Sequence, residues 1–142
     1  MTANVASISR HLDQDSTARP ARAARRTGRI LSGLAVLFLA FDATLKLLAV
    51  PAAVEGTAQL GYPVSIVQAI GLIEVACLVA YLVPRTAIIG AVLWTGYLGG
   101  AIASHARLGH PMFTHTLFPV YVAALLWVGL GLRDRRVRAL LP

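Results

Sequence analysis

The chain has 142 residues, of which 57% are hydrophobic and 13% charged, yet its net charge is +7. Soluble domains run near about 25% charged, so this composition excludes a largely disordered chain and points to a membrane protein with basic flanks. Cys77 is the only cysteine, which excludes an internal disulfide scaffold.

In chain order, residues 1–28 read as a disordered, basic cytoplasmic tail within reach of anionic lipid headgroups. This tail holds no aromatic residue and adjoins no folded module, so nucleic acid is not expected as a partner. Residues 30–50, 64–83 and 86–104 each supply roughly the 20 mainly apolar residues that a membrane span needs. The fourth apolar run, 117–132, falls short and reaches full length only if it starts at Pro111, with His110 before it. A proline fits the first helical turn, where its missing N–H costs nothing. Reading the first run as a cleaved signal peptide would require an apolar segment of about 20 residues, against the usual 7–15, and that segment carries Asp42 and Lys46. The expected fold is therefore all-α, a bundle of four transmembrane helices over residues 29–142. Residues 51–63 form its long first loop, Pro84 and Arg85 a tight turn, and 105–110 a short third loop.

The arginines set the expected orientation. Arg10, Arg19, Arg22, Arg25, Arg26 and Arg29 precede the first span, Arg85 lies in the second loop, and Arg133, Arg135, Arg136 and Arg138 follow the fourth. By the positive-inside rule this side, with both termini, is cytoplasmic.

Three ionisable residues fall inside the spans: Asp42, Lys46 and Glu74. Such groups cost about 2.5–3.5 kcal/mol each at mid-bilayer, so they are expected to face the bundle interior and to have partners. Asp42 and Lys46 stand four residues apart with the acid first, the favourable order for an ion pair on one helix face. At 1.5 Å per residue Asp42 lies about 18 Å and Lys46 about 24 Å from Ile30, while Glu74 lies about 15 Å and Gln68 about 6 Å from Val64 on the antiparallel second span. All four can meet in the outer half of the bundle, joined there by His105, Arg107, His110 and His115. Two acids with one lysine leave a spare carboxyl, and Glu74, the deeper, is the candidate proton-linked group. Lys46 is the sole lysine among 13 basic residues. An arginine bias of that kind reflects a GC-rich genome, so a lone buried lysine is notable, being more readily paired and deprotonated than a guanidinium. The alternative for all these charges is a structural polar knot that fixes helix register.

Other features carry weaker signals. The five-residue spacing of His105, His110 and His115 does not place them on one helix face, and no metal or haem site is expected. Pro119, read as lying inside the fourth span, would free the carbonyl of His115. Gly96, Gly99, Gly100 and Ser104 form a small-residue stripe suited to close helix packing, either within the chain or with a second copy of it. Tyr97, Trp94, Tyr121 and Trp127 read as packing or interfacial residues, and Cys77 as a small buried residue. No GxGxxG, GxxxxGK[ST], CxxC, HExxH or nucleophile elbow is present.

With these residues placed, the chain resembles the DoxX-like family of small four-helix membrane proteins over about residues 29–142. The likeness rests on Phe41-Asp42-Ala43-Thr44-Leu45-Lys46-Leu47, Gly71-Leu72-Ile73-Glu74 and Tyr81-Leu82-Val83-Pro84-Arg85-Thr86. It extends to Thr95-Gly96-Tyr97-Leu98-Gly99-Gly100 with His105 and Arg107, to Leu117-Phe118-Pro119-Val120-Tyr121 with Trp127, and to the closing Leu132-Arg133-Asp134 and Arg138-Ala139-Leu140-Leu141-Pro142. The wider group includes a subunit of an archaeal thiosulfate:quinone oxidoreductase and mycobacterial members linked to thiol and oxidative-stress handling. The resemblance thus implies a multi-pass protein of a bacterial inner membrane, an accessory or quinone-binding subunit of a membrane redox complex rather than a stand-alone enzyme. Asp42, Lys46, Glu74, His105 and Arg107 are the residues carried over. A non-enzymatic assembly factor for another membrane protein and a small proton-coupled carrier are the alternatives.

Overall fold

The structure, a computed structural model, describes the backbone of residues 2–139 and the side chains from Arg22 onward, Arg135 excepted. The elements are α1 (Thr2–Leu47), α2 (Pro51–Gln59), a 3₁₀ turn (Val64–Ile66) leading into α3 (Val67–Leu82), α4 (Ala87–Arg107), a π-helical turn (Met112–Thr116), α5 (Phe118–Arg133) and α6 (Arg135–Arg138). Among the described residues, four helical segments are long and apolar enough to cross a membrane: Arg22–Leu47, Val64–Leu82, Ala87–Arg107 and Met112–Arg133. Their outward faces carry Leu34, Leu37, Phe41, Leu72, Val79, Ile89 and Val128, all more than half exposed. A surface this apolar is what a bilayer solvates.

The sequence reading differs from these elements in three places. The backbone of residues 2–28 is helical and continuous with the first span as part of α1, with Pro20 in its interior supplying no N–H to the helical ladder. The 51–63 loop contains α2, which starts at Pro51, where the fixed φ of proline suits a first helical position. The fourth span is not one continuous α-helix from Pro111. A π-helical turn comes first, and Pro119 then sits in the first turn of α5 rather than mid-helix, so no interior kink arises there.

The spans form a ring in which α1 packs on α3 and α5, and α4 packs on α3 and α5. Each contributes a stripe at helical spacing to one core: Ala35, Leu39 and Ala43 from α1, Leu78 and Tyr81 from α3, Ala91, Trp94 and Leu98 from α4, and Val122, Leu126 and Leu130 from α5. The end of the bundle that holds Arg29, Arg85 and Arg133 is closed tightly. There a Cβ on Gly90 would come within 2.3 Å of the Tyr81 backbone nitrogen, and one on Gly129 within 2.7 Å of the Ser32 nitrogen. Tyr81 locks this end: its hydroxyl donates to the Leu126 carbonyl at 2.9 Å and lies 3.0 Å from Ser32 Oγ, while the Arg133 guanidinium sits 5.0 Å over its ring. Replacing Tyr81 with Phe removes both hydrogen bonds and leaves the Leu126 carbonyl and Ser32 hydroxyl without them. The expected loss is about 1–3 kcal/mol, read as a lower midpoint of unfolding in detergent.

α1 ends in a Schellman motif, with Val50 N–H on the Leu45 carbonyl and Ala49 N–H on that of Lys46, both at 3.0 Å. Ala49 takes the left-handed position at φ 48°, which glycine ordinarily fills. Lys46 therefore occupies the last turn of α1, at the opposite end of the bundle from Arg29, Arg85 and Arg133.

Candidate functional site

Lys46 is the hub of a buried cluster. Its ammonium donates to Asp42 Oδ2 at 2.5 Å, one turn back on α1, and to Glu74 Oε1 on α3. Gly71 makes the second contact achievable, because a Cβ there would stand 3.0 Å from Lys46 Cβ and 3.1 Å from the Ala43 carbonyl oxygen. With only hydrogen at that position, the α3 backbone approaches α1 and brings Glu74, one turn further on, to the lysine. The Tyr97 hydroxyl on α4 donates to the same Glu74 oxygen, and lies 3.3 Å from Lys46 Nζ. Glu74 is 0% exposed, and the side chains of Lys46 and Asp42 are 15% and 37% exposed. Its second oxygen, Oε2, is buried without a hydrogen-bond partner, as is Trp94 Nε1. Trp94 meets Tyr97 edge-to-face at 5.4 Å.

Two cavities converge on this cluster. One, of about 500 Å³, is walled mainly by apolar residues, among them Phe38, Leu39, Ile70, Leu98, Phe118 and Val122, and ends on Asp42, Lys46, Tyr97, Ser104 and His105. The other, of about 400 Å³, lies under α2 and is lined by Asp42, Lys46, Thr57, His105, His110 and His115. Asp42, Lys46 and His105 border both.

The three histidines come together without sharing one helix face. α4 closes in a second Schellman motif, with His110 N–H on the His105 carbonyl and Gly109 N–H on that of Ala106, both at 3.1 Å, and Gly109 at φ 66°. In this motif the residues five apart touch, although on a continuous helix they would point about 140° apart. His105 Nδ1 and His110 Nδ1 are 2.8 Å apart, and the π-helical turn after Pro111 brings in His115, whose ring centre is 6.0 Å from that of His105 and 5.8 Å from that of His110. Among the described residues no group of three or more His, Cys, Asp or Glu side chains has metal-holding geometry. His105 and His110 thus form a hydrogen-bonded pair, with the His115 ring beside them and its Nδ1 2.8 Å from Thr114 Oγ1.

Two residues grouped with the site from the sequence stand apart from both cavities. Gln68 Nε2 donates to the Leu47 carbonyl at 3.2 Å and so caps the end of α1. Arg107 Nη2 donates to the Leu60 carbonyl at 2.8 Å and clips the α2–α3 connection to the end of α4. The small-residue stripe of α4 does not pack on a helix of this chain, since a Cβ on Gly96, Gly99 or Gly100 would meet nothing within 4 Å. Gly96 and Gly100 instead widen the apolar cavity, and Ser104, hydrogen-bonded to Tyr62 at 2.9 Å, borders it. The sequence reading assigned Tyr97 to packing. Its depth was the missed signal: it lies about 15 Å from the Arg107 end of α4, level with Glu74 on α3 and too deep for an interfacial belt.

A four-span helical bundle whose only internal lysine bridges two acids beneath paired cavities is a small polytopic membrane protein with an intramembrane polar site. The chain belongs to the DoxX-like family, whose profile matches residues 30–129 and so takes in every residue from Asp42 to His115. No curated protein and no solved structure matches it.

Proposed function

We propose that the chain binds the polar head of a small lipid-soluble molecule, best an isoprenoid quinone, as an accessory subunit of a membrane redox system. One observation carries this reading: the Lys46–Tyr97 cluster closes one end of an apolar cavity of about 500 Å³, a volume within the range of small-ligand sites. Phe38, Phe118, Gly96 and Gly100 belong both to its wall and to the exposed apolar flank, which favours lateral access from lipid. At the polar end, the Lys46 ammonium and the His105 imidazole supply donors for a ring carbonyl, and Asp42 supplies an acceptor for a ring hydroxyl. The arginine end faces the cytoplasm in this reading, which places the site in the outer half of a bacterial inner membrane.

Ala101 borders only the apolar cavity of the two, so Ala101→Phe fills it without touching a charge. Protein purified from its native membrane is expected to bring down an isoprenoid quinone, identified by mass spectrometry of extracted lipid. A short-chain quinone should quench Trp94 fluorescence, and Ala101→Phe should weaken that binding by more than about tenfold, or 1.4 kcal/mol, at an unchanged unfolding midpoint. Absence of both the co-purified quinone and the quench sinks the reading. A stoichiometric protein partner in its place would favour an assembly factor.

A further inference from the structure

The cavity under α2 differs in character from the apolar one, and the ligand reading leaves it without a task. The two meet only where Asp42, Lys46, Thr57, Leu60 and His105 border both. One is a lipid-flanked chamber. The other is a polar vestibule lined by three imidazoles, at the end of the bundle opposite Arg29, Arg85 and Arg133.

We propose that this vestibule is a proton port, which connects the aqueous surface to the buried Asp42–Lys46–Glu74 cluster through His110, His115 and His105. Imidazole accepts a proton at one ring nitrogen and releases one from the other, at physiological pH. His115 is exposed, His110 and His105 are partly buried, and the 2.8 Å Nδ1–Nδ1 contact lets one proton pass between the last two. Beyond His105 the vestibule, at about 400 Å³, has room for on the order of ten waters at about 30 Å³ each. Those waters reach Asp42 and Lys46.

The transfer balances atom by atom. A proton taken from bulk water by His110 or His115 is matched by one released from His105 to vestibule water, and from there to Asp42. Lys46 passes one of its three protons to Glu74 and regains one from Asp42, so the histidines and the lysine end as they began. With both acids and the lysine ionised at the start, the cluster moves from a net charge of −1 to 0, and the gained proton rests on Glu74. It arrives on Oε1, the oxygen to which the Lys46 ammonium donates, and leaves Oε2, buried without a partner, as the carbonyl oxygen of the neutral acid. The charged and titratable groups around this path are Asp42 and Lys46 from α1, Glu74 from α3, Tyr97 and His105 from α4, and His110 and His115 from the α4–α5 connection. From α2, Glu55 is solvent-exposed and outside the vestibule wall. The port rests on the cluster and the vestibule alone, and stands whether or not the apolar chamber takes a quinone.

The protein supplies its own reporter. In a Trp127→Phe background Trp94 is the only tryptophan, and it touches Tyr97, which is bonded to Glu74. A stopped-flow drop from about pH 8 to about pH 5, the interval that charges histidine, is expected to change Trp94 emission in one phase that Glu74→Gln abolishes. His105→Phe should slow that phase on the order of 100-fold, the scale of one positioned proton-transfer group. Ala53→Phe, which plugs the vestibule without altering a titratable residue, should slow it likewise. Ala101→Phe should leave the rate unchanged while it blocks quinone quenching. Unaltered rates in both His105→Phe and Ala53→Phe overturn the port, as does a wild-type protein with no phase. If His105→Phe fails to fold, Ala53→Phe alone decides. Slowed protonation together with absent quinone binding leaves the port standing and removes only the ligand reading.

Discussion

Lys46→Met is expected to destabilise the folded protein by about 3–5 kcal/mol, the scale for removing one partner of a buried ion pair. The size follows from the geometry: one ammonium holds Asp42 and Glu74 together, and without it two carboxyls confront each other around an apolar side chain. Glu74 lies at 0% exposure, so water cannot take over the role of the lysine. Adding Glu74→Gln to Lys46→Met should restore a large part of the loss, because the remaining acid is the partly exposed Asp42. Equilibrium unfolding in detergent of the two single variants and the double variant gives the coupling directly. Additive single effects would show that the three residues do not act as a unit. Lys46→Arg is not a conservative change here, since a planar fork cannot converge on both acids and Tyr97 as a compact ammonium does.

The second large effect lies at the other end of the molecule. Gly90→Ala places a methyl group 2.3 Å from the Tyr81 nitrogen and 2.5 Å from its Cα, and backbone cannot step aside as a flexible side chain can. Helices α3 and α4 must separate, at a cost at or above about 3 kcal/mol, the upper end for overpacked cores. The paired control is Gly99→Ala on the same helix, where the added carbon meets nothing. There helix propensity alone acts, and a gain of about 0.5–1 kcal/mol is expected. Opposite signs for two identical substitutions on α4, read from unfolding midpoints, test the helix packing more sharply than either alone. Equal effects would mean that α4 packs through its small-residue stripe.

Hydropathy and length were sufficient to place four spans, because a bilayer demands long apolar helices with every backbone group satisfied internally. The Asp42–Lys46–Glu74 contact was legible for a similar reason: a four-residue offset and a constant rise per residue leave few ways for buried charges to meet. What escaped the sequence lies where the helices stop. Gly109 permits the left-handed residue that folds His110 back onto His105, and the clue was the stretch His105-Ala106-Arg107-Leu108-Gly109-His110 read as a helix cap rather than as a helix. Gln68 and Arg107 were drawn into the cluster by polarity and depth, but free carbonyls at helix ends compete for the same donors and took them. The stripe Gly96, Gly99, Gly100 shows that small residues permit close approach without requiring it; on α4 they leave room.

The bundle is close-packed at its arginine end, where Gly90 and Gly129 seat backbone on backbone, and hollow at its histidine end. This separates what holds the protein together from the chamber proposed to bind a ligand. Residues that wall the chamber, such as Ala101, Ile70 or Val122, can change in size and reshape that cavity while the glycine contacts and the Tyr81 lock keep the helices assembled. Under the proposed reading, a scaffold divided in this way lets changes in the chamber wall alter which guest is accepted while the membrane architecture stays the same.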